Sequence, residues 1–400
     1  MKEKIINALK IAYTKSKNWI IEFSKKTWKS IKDFPSTKSG QSFQNSLIAI
    51  GVGLLVGFLV MFITKPARSI DGFGRLLSGG FSLGLQSVGT FLQDSTPIIM
   101  TGLAFAFASK TGLFNIGGSG QFMIGGVAAL YVANLVTLPA GIHFIACVLA
   151  AVIAGAIWAS IAGLLKAFFN VSEVISTIML NYIGMYLMVI LVLNPAVYDE
   201  NITAINLLHP TANTPHWGLN KIFTGSNLDI GIIIVILMAI LIWFVLNKTT
   251  LGYQLKAVGY SNTGSQAAGI PYKRNVVTAM SISGALAGLG AALAYLPTKP
   301  VYMRPITSLV SYGFDGMSVA LLANNNPIGI IFSGIFVSYI KTAAKPMQLA
   351  GYDKEIGNIV IAVIIYMAAF SSFFGMLIKK RKEKKKLLSK LETTEEVVNE

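Results

Sequence analysis

Apolar runs of about 20 residues with few or no charges recur along the whole chain, and that is the length an α-helix needs to cross a bilayer core. Ten segments of this kind can be laid out, two of them short. The first five are Leu47–Ile63, Pro97–Ser109, Gln121–Leu138, Ile142–Leu165 and Val174–Leu193. The others are Leu228–Leu246, Val276–Leu296, Ile306–Leu322, Ile328–Ala343 and Ile359–Ile378. No polar stretch between them is long enough for a second soluble domain. Composition agrees: 54% of the 400 residues are hydrophobic and 12% charged, against roughly a quarter charged in soluble globular chains. The expected fold class is an all-α polytopic membrane protein of about ten transmembrane helices. A soluble enzyme is excluded.

Charge orients the spans. Residues 1–40 hold ten lysines against Glu3, Glu22 and Asp33, and 379–400 hold eight basic residues against five glutamates. With both ends placed in the cytoplasm, 24 of the 33 basic residues fall on the inner side. The long segment 195–227 then falls outside, where Asp199 and Glu200 outnumber Lys221. This is the positive-inside bias, and it accounts for the basic tails without nucleic-acid binding. Three parts are therefore expected: a basic cytoplasmic extension over 1–45, a permeation domain over 46–378, and a charged cytoplasmic tail over 379–400. Within the extension, Ile5, Leu9, Tyr13, Trp19 and Phe23 alternate with lysines at roughly helical spacing. That pattern suits either an interfacial helix on an anionic leaflet or a solvated tail.

Familiar catalytic patterns are missing from the sequence. It shows no paired carboxylates, triad, zinc-protease pattern or phosphate loop with its lysine, so neither an enzymatic activity nor ATP hydrolysis by this chain is expected. Cys147 is the single cysteine and has no partner for a disulfide. His143, His209 and His216 lack metal-ligand spacing, so no metal or other cofactor is expected on the chain. Small residues on the apolar runs, such as Gly155, Gly163, Gly284 and Gly288, allow helices to approach closely.

Three segments depart from a plain helix bundle. In Thr111–Gly126, six of sixteen residues are glycine, each costing a helix about 1 kcal/mol relative to alanine. A broken or re-entrant segment is expected there, and non-helical backbone at membrane depth survives only inside protein or along a watery path. Phe114, Asn115, Ser119 and Gln121 offer neutral polar groups beside an aromatic surface. In Ser311–Gly329, Asp315 is an acid within an apolar stretch, with Ser318 about one helical turn on and Phe314 beside it. Such an acid serves proton coupling, substrate contact or a bond to a neighbouring helix, and no second buried acid is evident near it. The third segment is the inner loop Thr249–Asn275. Ser261 and Asn262 have the chemistry of a helix start, and Gly269 that of a helix end. A short helix is expected across Ser261, Asn262, Gln266, Ala267, Ala268 and Gly269, placed to receive force from a soluble partner.

Together these motifs resemble the permease subunits of ATP-binding cassette importers, in the branch that carries ribose, branched-chain amino acids and nucleosides. The loop TTLGYQLKAVG followed by SQAAGIPYKRN is similar to that branch's cytoplasmic loop. GLFNIGGSGQ and GFDGMSVALLANNNPIG resemble the nucleoside permeases within it. Relatives often carry an acid and an Asn-Pro pair where this chain has Ser261-Asn262-Thr263-Gly264. The resemblance covers about 46–378. It implies a nucleoside pathway formed with a second, different permease subunit. It also implies a cytoplasmic ATPase that hydrolyses the ATP and contacts the short loop helix, and an extracellular substrate-binding lipoprotein. Phe114, Asn115, Ser119, Gln121, Phe314, Asp315 and Ser318 are then the expected pathway residues. An ion-coupled nucleoside carrier and a monosaccharide permease are the alternatives.

Overall fold

The computed structural model describes residues 38–205, 209–298, 302–353 and 355–369. The expected interfacial helix and the charged tail lie outside the described residues. Two compact units divide the chain, 1–50 with 370–400 and 51–369. The second unit holds most of the described residues.

The described elements are helical apart from one two-stranded ribbon. The helices are α1 (Lys38–Thr64), α2 (Ser69–Ser78), α3 (Leu85–Lys110), α4 (Gly118–Leu135), α5 (Ile142–Phe169) and α6 (Glu173–Val192). After the ribbon β1 (Tyr198–Asp199) and β2 (Ala204–Ile205) come α7 (Leu219–Ile222), α8 (Gly231–Lys248), α9 (Thr250–Tyr260) and α10 (Asn262–Ala267). The chain continues with α11 (Tyr272–Tyr295), α12 (Tyr312–Leu322), α13 (Pro327–Met347) and α14 (Glu355–Ala369). The protein is an all-α multi-pass membrane protein.

Each of the ten apolar segments overlaps one of these helices, in order, the last of them being described only to Ala369. Among the described residues, six stretches are long and apolar enough to cross a membrane: Ser46–Thr64, α5, α6, α8, α11 and Pro327–Ala350. The expected eighth span differs most. Ile306–Leu322 is helical only from Tyr312, and eleven residues reach about 16 Å, half a bilayer core. Residues 302–311 before it run without helix, and Met303 bridges to Ile205 of β2 through a 3.0 Å backbone bond. Local chemistry explains the α12–α13 corner. Asn324 and Asn325 hold left-handed backbone at φ 53° and 55°, which asparagine tolerates better than most residues. Asn326 then caps α13, accepting from the Ile328 N–H at 3.0 Å and the Gly329 N–H at 3.3 Å.

The centre of the bundle is glycine against backbone. α5 and α11 pack along much of their length, with Gly155 against Gly284 and Ala151 against Gly288. Gly125 of α4 enters the same node and faces the Gly288 Cα. Without Cβ atoms these backbones approach closely and maximise dispersion contact, the main attraction where lipid is as apolar as the side chains. Beside this node, Phe122 and Met123 of α4, Met185 and Met188 of α6 and Tyr295 of α11 form a buried apolar cluster.

Candidate functional site

Two broken elements meet at their helix starts. The chain leaves α3 at Lys110, runs without helix through residues 113–116, and enters α4 at Gly118. α12 begins beside it, with Gly118 and Ser119 packed on Gly313. The Ser119 hydroxyl donates to the Val310 carbonyl at 2.9 Å, and the Thr101 hydroxyl of α3 donates to the Tyr312 carbonyl at 2.8 Å. Thr101 precedes the end of α3 by nine residues, roughly 13 Å along the axis. The junction therefore lies within the body, where the bilayer supplies no partners for free backbone groups.

Side chains satisfy those groups. The Gly117 N–H donates to Asn115 Oδ1 at 2.9 Å, and Gln121 Nε2 donates to the same oxygen at 3.1 Å. Asn115 Nδ2 donates to Ser283 Oγ of α11 at 2.8 Å, and that hydroxyl donates to the Ala104 carbonyl of α3 at 2.7 Å. From α6, Asn181 donates to the Ile116 carbonyl at 3.0 Å and accepts from the Gly120 N–H at 2.7 Å. Asn115, Ser119 and Gln121 are 3%, 0% and 2% exposed. Neutral amides satisfied in this way tolerate burial far better than charges.

The structure therefore divides the expected pathway set. Asn115, Ser119 and Gln121 turn inward and hold the break, whereas Phe114 is exposed and lies edge-on to Phe105 at 5.2 Å between centroids. Phe314, Asp315 and Ser318 follow one face of α12, where Phe314 is exposed and the other two are half-buried. The Ser318 hydroxyl donates back to the Phe314 carbonyl at 2.8 Å. Replacing Asn115 with leucine should leave the Gln121 amide and the Gly117 N–H buried without partners. Each such loss costs about 1–3 kcal/mol. A clear drop in thermal stability of the purified protein is expected, and an unchanged melting temperature would remove the network from its supporting role.

Asp315 has company that hydropathy alone does not reveal. Lys341 of α13 donates to its carboxylate at 2.5 Å. Asp94 of α3 lies in the electrostatic reach of Lys345 and Lys341, and Tyr312 lies in that of both acids. Lys341 is visible in the sequence as a charge inside the span Ile328–Ala343, and charges in such places pair with one another. Its position opposite Asp315, 26 residues away, required the packed helices.

The short loop helix is present at the same end of the body as the α3 C-terminus. Ser261 Oγ accepts from the Gly264 N–H at 3.1 Å, capping α10. At the other end Gly269 is left-handed at φ 76°. The Ile270 N–H reaches the Ser265 carbonyl at 3.0 Å and the Gly269 N–H the Gln266 carbonyl at 2.9 Å, a Schellman stop. Asn262, Gln266, Ala267, Ala268 and Gly269 are exposed, while Ser265 anchors the helix. Next to it opens a groove of about 1100 Å³ between α10, the start of α11 and the end of α5, with Lys166, Lys273 and Arg274 on its walls. At the opposite end, Gln93 donates to Asp229 at 3.0 Å and His216 contacts Thr298 at 2.8 Å. Among the described residues no three His, Cys, Asp or Glu side chains gather as a metal set.

Comparison with known proteins agrees with this architecture. The family described as branched-chain amino acid transport system / permease component matches residues 87–369. The Guanosine ABC transporter permease protein NupP of Bacillus subtilis (strain 168) is 38% identical over 326 residues, covering 81% of this chain and 92% of that protein. The Nucleoside ABC transporter permease protein NupB of Lactococcus lactis subsp. cremoris (strain MG1363) is 36% identical over 331 residues, covering 81% and 89%. No solved structure matches the chain. By the length of the family match and the identity to these relatives, the chain belongs to the branched-chain amino acid transport system permease family.

Proposed function

We propose that this chain is a membrane permease subunit of an ATP-driven nucleoside importer. The observation that carries the reading is the similarity, over 81% of the chain in each case, to two permeases named for guanosine and nucleoside transport. The structure supports it with a capped, exposed loop helix and with broken helices that meet inside the body. The chain carries no ATPase signature, so a separate cytoplasmic ATPase supplies the energy. A substrate-binding lipoprotein delivers nucleoside outside, and a second, different permease completes the pathway. Ten crossings with both termini in the cytoplasm fit the ten helices that match the apolar segments. The parts are the extension 1–45, the permeation domain 46–378 and the tail 379–400.

In this reading Phe114, Phe314, Asp315 and Ser318 face the pathway, offering an aromatic surface with hydroxyl and carboxylate acceptors to a neutral base and sugar. Asn115, Ser119 and Gln121 brace the break behind them. Ser261, Asn262, Gln266, Ala267, Ala268 and Gly269 meet the ATPase, with the basic groove beside α10 as part of the seat.

Uptake of radiolabelled guanosine, uridine and cytidine by cells carrying or lacking the chain tests the reading. Chain-dependent uptake is expected to vanish on ATP depletion and to persist when an ionophore collapses the proton gradient at constant ATP. Loss with the ionophore alone points to an ion-coupled carrier, and uptake of a monosaccharide instead of nucleosides points to a sugar permease. Either result overturns the proposal.

A further inference from the structure

α5 carries a stripe of exposed apolar side chains along its length: Ile145, Leu149, Ile153, Ile157, Leu164 and Phe168. They recur at intervals of four or seven residues, so they follow one slowly winding face of the helix. Exposed apolar area of this extent marks contact with a membrane or with another protein. The stripe runs into the groove beside α10, which Leu164 and Phe168 line. α5 and α11 pack closely as far as Gly163 on Val277, and there the groove of about 1100 Å³ opens. Its two main walls are the last turns of α5 and the first turns of α11, both of them ends of apolar spans. Span ends stand where the hydrocarbon of a bilayer gives way to its headgroups.

The polar lining of the groove is cationic. Lys166, Lys273 and Arg274 line it, and no aspartate or glutamate does. Lys166 is already paired, with Glu173 of α6 at 3.0 Å. Lys273 stands over the Phe168 ring, 4.9 Å from its centroid. Among the described residues neither Lys273 nor Arg274 forms an ion pair. The first turn of α11 adds N–H groups without intrahelical acceptors, at the positive end of the helix dipole. The groove thus asks for negative charge, while Leu164, Ala167, Phe168 and Val277 ask for an apolar neighbour. A free phosphate satisfies the first demand and leaves the apolar wall wet. An acidic protein segment does the same. An anionic phospholipid satisfies both.

We infer that the groove between the end of α5 and the start of α11 binds an anionic phospholipid, whose phosphate accepts from Lys273 and Arg274 and whose acyl chain follows the α5 stripe. Basic clefts between membrane helices hold anionic headgroups by the same combination of charge and apolar contact. A zwitterionic lipid brings its own ammonium beside the phosphate and gains less from two uncompensated cations, so the site selects for net negative charge. The inference goes beyond the proposed function. The ATPase contact stays with the exposed side of α10, and the lipid fills the bilayer side of the same groove. Lipid binding is measured without transport, so its failure leaves the importer reading standing.

The test titrates the purified full chain in neutral detergent with phosphatidylglycerol or phosphatidylcholine and counts bound lipid by native mass spectrometry. Wild type should hold its tightest phosphatidylglycerol at least about tenfold more firmly than phosphatidylcholine. Lys273→Ala with Arg274→Ala should weaken that lipid roughly thirtyfold, the combined effect of two surface cations. Both residues are exposed, so the fold should survive, and the charge-keeping pair Lys273→Arg with Arg274→Lys should retain the lipid. Lys248→Ala with Lys256→Ala removes two cations that do not line the groove and should leave the affinity unchanged. The basic extension is present in every variant, so its own attraction for anionic lipid cancels in the comparison. Excess inorganic phosphate should displace little of the lipid, because it cannot fill the apolar wall. Equal affinity for the two lipids, equal loss in the two alanine pairs, or full displacement by phosphate overturns the inference. So does a Lys273→Ala, Arg274→Ala chain that keeps its lipid but no longer captures the ATPase, since the cations then serve a protein contact.

Discussion

Ala267→Arg should reduce nucleoside uptake by more than about a hundredfold while the protein inserts and assembles as before. Ala267 is exposed in the last turn of α10, so an arginine there has room in the isolated chain and disturbs little of its packing. In the proposed importer, with α10 as the ATPase contact, the same side chain would be forced against the ATPase. Burying an unpaired charge at an interface costs about 3–5 kcal/mol, and each 1.4 kcal/mol is a factor of ten. Gly269 is a poorer position for the experiment. Its φ of 76° strains any other residue, so a variant there mixes loss of the helix stop with loss of the contact. The measurements are uptake, the ATPase activity of the assembled complex and membrane yield. Wild-type uptake by Ala267→Arg would falsify α10 as the ATPase contact.

Gly288→Ala should have the opposite character: little folded protein should reach the membrane. A Cβ at Gly288 would overlap the Ala151 carbonyl oxygen of α5. The obstructing atoms are backbone of a paired helix, which cannot rotate aside as a side chain can. Overpacking of this kind costs typically 1–3 kcal/mol when side chains yield, and more is expected where a helix must move. Gly74→Ala on α2 is the matched control. Nothing stands within 4 Å of its Cβ, and the change removes the entropic disadvantage of glycine in a helix, about 0.5–1 kcal/mol. Yield and thermal stability should fall in the first variant and hold or rise in the second. Equal behaviour would show that the α5–α11 crossing is looser than the structure describes.

The two sites differ in how far each was legible from sequence. α10 is legible because its signals are local. Ser261 is three residues from the N–H it caps, and Gly269 sits at the turn that ends the helix. The apolar segments are legible for the same reason, since a window of consecutive residues suffices to show that a helix there prefers lipid. The glycine-rich stretch was also readable as a break, but the use of its polar residues was not. Asn115 is bonded to Ser283, 168 residues away, and Gly120 to Asn181, 61 residues away. A polar residue at membrane depth can face a watery path or satisfy a neighbouring backbone, and composition is identical in the two cases.

Asp315 shows the same limit. Its place in an apolar run marked it as a group needing a partner, and Lys341 was equally conspicuous in its own run. Neither residue specifies the other, because the registry of α12 against α13 is set elsewhere. It follows from the Asn324–Asn325 corner, from Gly316 packed on Thr101 of α3, and from Gly313 packed on Ser119 of α4. Asp94 was hidden more fully, as one acid before the short apolar run that begins at Pro97. By itself the sequence determined the membrane class, the helical segments, the break and the capped loop helix, all of which depend on interactions within a few residues. Only the tertiary structure decided which polar groups are consumed in holding the break and which charges pair between α12 and α13. That choice rests on close backbone contacts between helices far apart in the chain, and such contacts fix which side chains meet.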